Sequence, residues 1–219
     1  MKNKNVLITC LLGGMMLMAG CSRMMDSTKE AFGVQKKDIL VSRVQSARDA
    51  QMDAKEQFAT ALDEFRSVVG YKGTLLDEKY KTLKSQYDKC ESRTRTVESR
   101  IEDVRRVAKS LFREWEDELD QYSSPALRKS SETKLEATRV KCDKMIAAME
   151  KARDKIYPVL AAFRDQVLFI KHNLNAQAIA SLEGELGVIE KEISLLIREM
   201  ENSMAEADTF IRQMQILEI

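Results

Sequence analysis

The sequence predicts an all-α protein, an elongated antiparallel four-helix bundle or coiled coil built from long heptad helices. Three observations carry that expectation. Beyond residue 34, apolar residues recur in alternating steps of four and three, the spacing that gathers them on one helix face. Helix breakers are rare: Pro125 and Pro158 are the only prolines, and after residue 20 glycine occurs only at Gly33, Gly70, Gly73, Gly184 and Gly187. No segment alternates apolar and polar residues with the period of two that a half-buried strand requires.

The first helix is expected over about Gln35 to Val69, with a seam of Leu40, Val44, Ala47, Gln51, Ala54, Phe58, Ala61, Phe65 and Val68. Gln51 alone among these is polar. After GYKG a second helix is expected, with Thr74 as N-cap and Asp77 as an acid in its first turn. Its seam runs from Leu76 through Tyr80, Leu83, Tyr87, Cys90, Thr94, Val97, Ile101, Val104, Ala108 and Leu111 to Trp115 without a slip, and Tyr122 falls in phase. The segment YSSP stops it. Ser124 can cap a third helix and Pro125 suits its first position, where a missing N–H costs nothing.

The third seam reads Leu135, Thr138, Cys142, Met145, Met149, Ala152, Ile156, Val159, Phe163, Gln166 and Ile170. Pro158 lies inside it and should bend the helix by removing one backbone hydrogen bond. Extending this phase predicts Asn173, Gln177 and Ala180, but the apolar series downstream is Ile179, Leu182, Leu186, Ile189, Ile193, Leu196, Met200, Met204, Ala207, Ile211 and Met214. The register changes, so a turn is expected through HNLN. Lys171 and the only histidine, His172, suit a helix C-terminus, Asn173 a left-handed cap, and Asn175 the N-cap of a fourth helix. A continuous helix through this point is the alternative. With turns near residues 71, 124 and 174, helices of about 35 to 48 residues at 1.5 Å per residue give a rod about 55 to 70 Å long.

The amino terminus reads as a secretory signal over residues 1–20. MKNKN carries Lys2 and Lys4, an apolar stretch follows from Val6 to Met18, and Ala19 and Gly20 precede Cys21. Those 13 apolar residues fall short of the roughly 20 that span a hydrocarbon core. LMAGCS resembles the lipobox of bacterial lipoproteins, with Met18 where leucine is commonest, and this makes Cys21 the expected lipidation site and first mature residue. Three acyl chains, at about 0.8 kcal/mol per buried methylene, would anchor the protein permanently. Ser22 follows, not the aspartate that retains such lipoproteins at the inner membrane under the enteric sorting rule, so the periplasmic face of the outer membrane is expected. Residues 21–34 are expected as a flexible tether, 35–214 as the helical bundle and 215–219 as a C-terminal tail.

Without Lys2 and Lys4 the chain holds 34 basic against 35 acidic residues, in a sequence that is 32% charged and 44% hydrophobic. A near-neutral balance of that density means interleaved surface pairs, and it argues against nucleic acid as a partner. One histidine leaves no Glu-x-x-His pairs for a di-iron bundle, and Cys90 and Cys142 have no CxxC partner, so no metal site or cofactor is expected. No phosphate loop or GxSxG elbow exists, and no catalytic residue can be nominated. The acidic run EWEDELD at 114–120 reads as a solvated helix surface. A disulfide is not expected either. If the second and third helices fold back about residue 124, Cys90 and Cys142 stand 16 residues out of step, about 24 Å, against the roughly 7 Å that a disulfide tolerates.

One resemblance covers nearly the whole mature chain. KKDILVSRVQSARDAQMDAKEQF from Lys36, RIEDVRRVAKSLFREWEDEL from Arg100 and PVLAAFRDQVLFIKHNLNAQAIASLEGE from Pro158 resemble a proteobacterial lipoprotein family catalogued as domain of unknown function number 2959. The resemblance implies a helical lipoprotein and supplies no activity or catalytic residues. The expected function is therefore a non-enzymatic structural or protein-interaction role in the cell envelope, with the membrane and an envelope protein as partners. The alternative is a helical module holding a lipid or other apolar ligand, lined by Met145, Met149, Phe163 and Phe169.

Overall fold

The structure is a computed structural model. It describes residues 21–71, 73, 76–173 and 176–216, with side chains described for 36–71, 73, 76–173 and 179–216. The expected signal at 1–20 and the caps at Thr74 and Asn175 lie outside those residues. Five α-helices follow in order: α1 (Cys21–Val69), α2 (Leu76–Leu119), α3 (Pro125–Asp154), α4 (Ile156–His172) and α5 (Ala176–Ile216). They make four arms, because α3 and α4 are one arm interrupted at Lys155.

The arms close into a ring. α1 packs on α2 and α5, and the α3–α4 arm fills the side between α2 and α5. Cross-pairs fix the directions: Arg48, Lys55 and Arg66 of α1 meet Asp208, Glu201 and Glu190 of α5 at 2.7, 3.3 and 2.7 Å. Each step forward on α1 is matched by a step back on α5, so the two are antiparallel. Lys144 and Lys151 of α3 pair likewise with Glu206 and Glu199 at 2.8 and 2.9 Å. Every residue of the α1 seam is buried, Gln51 included, and so are the α3–α4 seam residues from Leu135 to Phe163. In α5, Leu182, Ile189, Ile193, Leu196, Met200, Met204, Ala207, Ile211 and Met214 are buried. The change of register through HNLN is thus the change from one arm to the next.

The α2–α3 turn forms as its residues dictate. Ser124 has extended backbone, its hydroxyl accepts from the Leu127 N–H at 3.4 Å, and Pro125 opens the helix. Pro158 does more than bend its arm. It has no N–H to offer the carbonyl of Asp154, and the helix breaks one residue later, at Lys155, whose own N–H still reaches Lys151 O at 3.3 Å. At the α1–α2 turn, a Cβ on Gly73 would meet the tip of the Tyr71 ring, which would have to move aside.

Four local expectations are corrected. Residues 21–34, expected as a flexible tether, are the first turns of α1. SRMMDSTKEAF contains good helix formers and no proline, and the single Gly33 costs only about 1 kcal/mol. Asn173 is not left-handed, for its φ is −134°. Its side-chain Nδ2 donates to the Phe169 carbonyl at 2.9 Å and its N–H to Ile170 O at 3.1 Å, which satisfies two terminal carbonyls without a positive φ. Tyr122 lies past the end of α2 and is exposed. Near the end of α4, Val167 is buried and Gln166 only half-buried, so the seam drifts by one residue there.

Candidate functional site

From Cys21, the first described residue, α1 runs unbroken to Val69. At 1.5 Å per residue, the helix carries the chain about 28 Å from Cys21 to the start of the seam at Leu40. None of the helices among the described residues is long and apolar enough to cross a membrane.

The interior holds a polar layer that crosses the bundle. Gln51 and Ser203 are both fully buried. The Ser203 hydroxyl donates to Gln51 Oε1 at 2.9 Å, and Gln51 Nε2 donates to the Met149 carbonyl at 3.4 Å. One amide thereby ties α1, α5 and α3 together. Gln51 stands out in the sequence as the one polar member of its seam. Ser203 does not, because the four-three template passes through Met204 beside it. A half-buried contact, Trp115 Nε1 to Ser131 Oγ at 2.9 Å, joins α2 to α3.

Cys90 and Cys142 are free thiols with no exposed surface. Burial pushes each up to about 12. Cys90 donates to the Gln57 carbonyl at 3.7 Å, whereas Cys142 lies seven residues before Met149, the residue that faces Gln51. Measured along α1, the two thiols are about 20 Å apart. They behave as small apolar groups and not as nucleophiles.

The four residues expected to line an apolar cavity are not brought together. Met145, Met149 and Phe163 sit in the core, where Phe163 packs on Phe65 with ring centroids 5.8 Å apart, while Phe169 is 38% exposed. A cleft of about 320 Å³ lies elsewhere, between the start of the α1 seam and the end of α5, walled by Lys37, Asp38, Ser42, Gln45 and Met214. It is open and joins no titratable cluster. Among the described residues no group of three or more His, Cys, Asp or Glu side chains could hold a metal. His172 is exposed on the last turn of α4. In EWEDELD, Glu114 meets Lys36 at 2.6 Å and Glu116 meets Arg139 at 2.6 Å, so this acidic run contributes to the inter-helix surface pairs.

The surface is uneven. Large exposed apolar side chains gather on the arms after the second turn: Val140 on α3, Leu168 and Phe169 on α4, Val188 and Leu195 on α5, whereas α2 exposes none among the described residues. Val188 and Leu195 lie off the α5 seam, seven residues apart, and that spacing was a readable signal of a second apolar stripe.

Compared with known families, residues 26–214 match the one described as Protein of unknown function (DUF2959). Among curated proteins, none matches the chain.

Proposed function

Starting from the fact that the chain belongs to the family Protein of unknown function (DUF2959), we propose that it is a lipid-anchored envelope protein. It hangs from the periplasmic face of the outer membrane through Cys21 and has a structural or interaction role without catalysis. The observation that carries this reading is LMAGCS, a small pair followed directly by cysteine at the end of a short apolar run. The architecture supports it: a helix that runs from Cys21 into the bundle without interruption would hold the rod at a set distance from an anchor on that residue. Absence of a catalytic role rests on the residues. Among the described residues, the titratable groups of the core are two thiols, and the buried polar groups are an amide and hydroxyls already paired with one another, with backbone carbonyls or, at Ser131, with the Trp115 indole.

The test is expression of the full chain in a bacterium, as wild type and as Cys21→Ser, with radiolabelled palmitate and separation of inner from outer membrane. Wild type is expected to carry label, to lack residues 1–20 and to fractionate with the outer membrane, while Cys21→Ser keeps its leader and takes no label. A processed, soluble periplasmic product from Cys21→Ser would overturn the anchor. Lipid extraction of the purified wild type checks the role: a stoichiometric lipid beyond the acyl chains on Cys21 would support an apolar-ligand carrier instead.

A further inference from the structure

The outer edge of the α3–α4 arm is an apolar stripe that its own chain leaves uncovered. Val140 is 58% exposed, Leu168 45% and Phe169 38%. Between them lie Ala147 and Ala161, exposed, and Ala148 and Ala162, half-buried. Heptad spacing puts Val140, Ala147, Asp154, Ala161 and Leu168 on one line of the arm, with Lys141, Ala148, Lys155, Ala162 and Phe169 beside it. Large apolar groups therefore stand at both ends, and small ones flank the middle.

The stripe is close to symmetric about the point between Asp154 and Lys155. Reversed about that point, Val140 meets Phe169, Ala147 meets Ala162 and Ala148 meets Ala161, while Leu168 meets Lys141, whose methylenes can cover it. The charges are complementary under the same reversal: Lys144 meets Asp165, and Asp154 meets Lys155. We propose that this face binds the same face of a second copy of the chain, the two α3–α4 arms running antiparallel about a twofold axis at Asp154–Lys155. A twofold interface is self-complementary by construction, so a stripe that pairs with its own reversal meets its geometric requirement. The alanines let the two backbones approach on either side of the charged centre, while at the ends Val140 buries against Phe169 and Leu168 packs along the Lys141 stem. Lys144, which also holds Glu206 of its own chain at 2.8 Å, is 69% exposed and has N–H groups left for Asp165. A parallel pairing fails on charge, since it sets Lys144 on Lys144, Lys151 on Lys151 and Asp165 on Asp165.

This inference goes beyond the anchoring reading and stands without it. The test uses the full chain in detergent, with Ala148→Cys in one differently tagged preparation and Ala161→Cys in another. Positions 148 and 161 of one chain are 13 residues apart on the same arm, about 20 Å, so neither variant can bridge to its own kind in the proposed pair. Mixed and oxidised, they should give a disulfide linking the two tags, identified as a crosslinked peptide that joins position 148 of one chain to position 161 of the other. Light scattering should report a dimer, and Val140→Asp, which sets a carboxylate against Phe169 of the other copy, should weaken it at least about ten-fold with the fold of the monomer unchanged, because Val140 is 58% exposed and lies outside the core. A monomer at micromolar concentration with no mixed disulfide would overturn the proposal. So would bridges between two copies of the Ala148→Cys variant formed as readily as mixed ones.

Discussion

Ser203 donates its hydroxyl to Gln51 Oε1 at 2.9 Å inside the bundle, where neither residue has exposed surface. Buried polar groups in a helical seam cost stability unless their partners are in place, and in coiled coils they fix register. Gln51→Leu keeps the seam apolar but strands the Ser203 hydroxyl, so a loss of about 1 to 3 kcal/mol is expected in urea denaturation. Adding Ser203→Ala should return most of that loss, since an apolar pair has nothing left unsatisfied. A single variant as stable as wild type would show that the layer contributes no net stability.

The thiols give a prediction in pH. Both Cys90 and Cys142 are pushed by burial from an ordinary value of 9.0 to about 12, so the fold holds these protons to higher pH than the unfolded chain does. Their contribution is complete below about pH 9 and is lost as pH rises toward 12, at up to about 1.4 kcal/mol per pH unit for each thiol. Tyr157, raised chiefly by its hydrogen bond to Glu98, and Tyr87, raised by desolvation, act in the same direction. Replacing both cysteines with alanine should therefore flatten the alkaline limb of a stability curve. In alkylation at neutral pH both thiols should be silent in the native protein and both should react after denaturation without reductant.

Asn173 discriminates between two ways of ending a helix. A left-handed cap would accept glycine at little cost, but this residue sits at φ −134° and uses its side chain on the Phe169 carbonyl at 2.9 Å. Asn173→Gly should then lose that bond and add backbone freedom to the unfolded chain, lowering stability by about 1 kcal/mol. A neutral or stabilising glycine would mean that the turn adopts positive φ in solution.

The seam was legible because heptad burial is a property of spacing alone. Leu40 to Val68 needs no knowledge of the partners, and the slip between Ile170 and Ile179 betrays the last turn in the same way. Less legible was anything set by a single backbone angle or by a contact between arms. Asn173 permits both a left-handed and an extended end, and only the reach of its amide to Phe169 decides between them. Ser203 becomes meaningful only once antiparallel packing puts it opposite Gln51. The helix over residues 21–34 carries no apolar seam, so spacing gives no sign of it, and it is sustained instead by propensity and continuity with the rest of α1.

Pro158 tests whether the break at Lys155 is imposed by one residue or required by the bundle. Proline inside a helix costs about 3 kcal/mol, mainly through the missing N–H and the clash of its ring with the carbonyl four residues before, here Asp154. Pro158→Ala restores the donor and the propensity, while the unfolded chain gains freedom worth about 0.4 to 1 kcal/mol. If the proline alone imposes the break, the variant should gain about 2 kcal/mol, with α3 and α4 fused and the new amide at position 158 protected from hydrogen exchange by the Asp154 carbonyl. Ile156, Val159 and Phe163 follow the break immediately and are all buried, so the alternative outcome is also informative. A destabilised variant whose amide at position 158 stays unprotected would mean that the bend is what aims these three side chains into the core, and that proline was accommodated at a kink the bundle already needs.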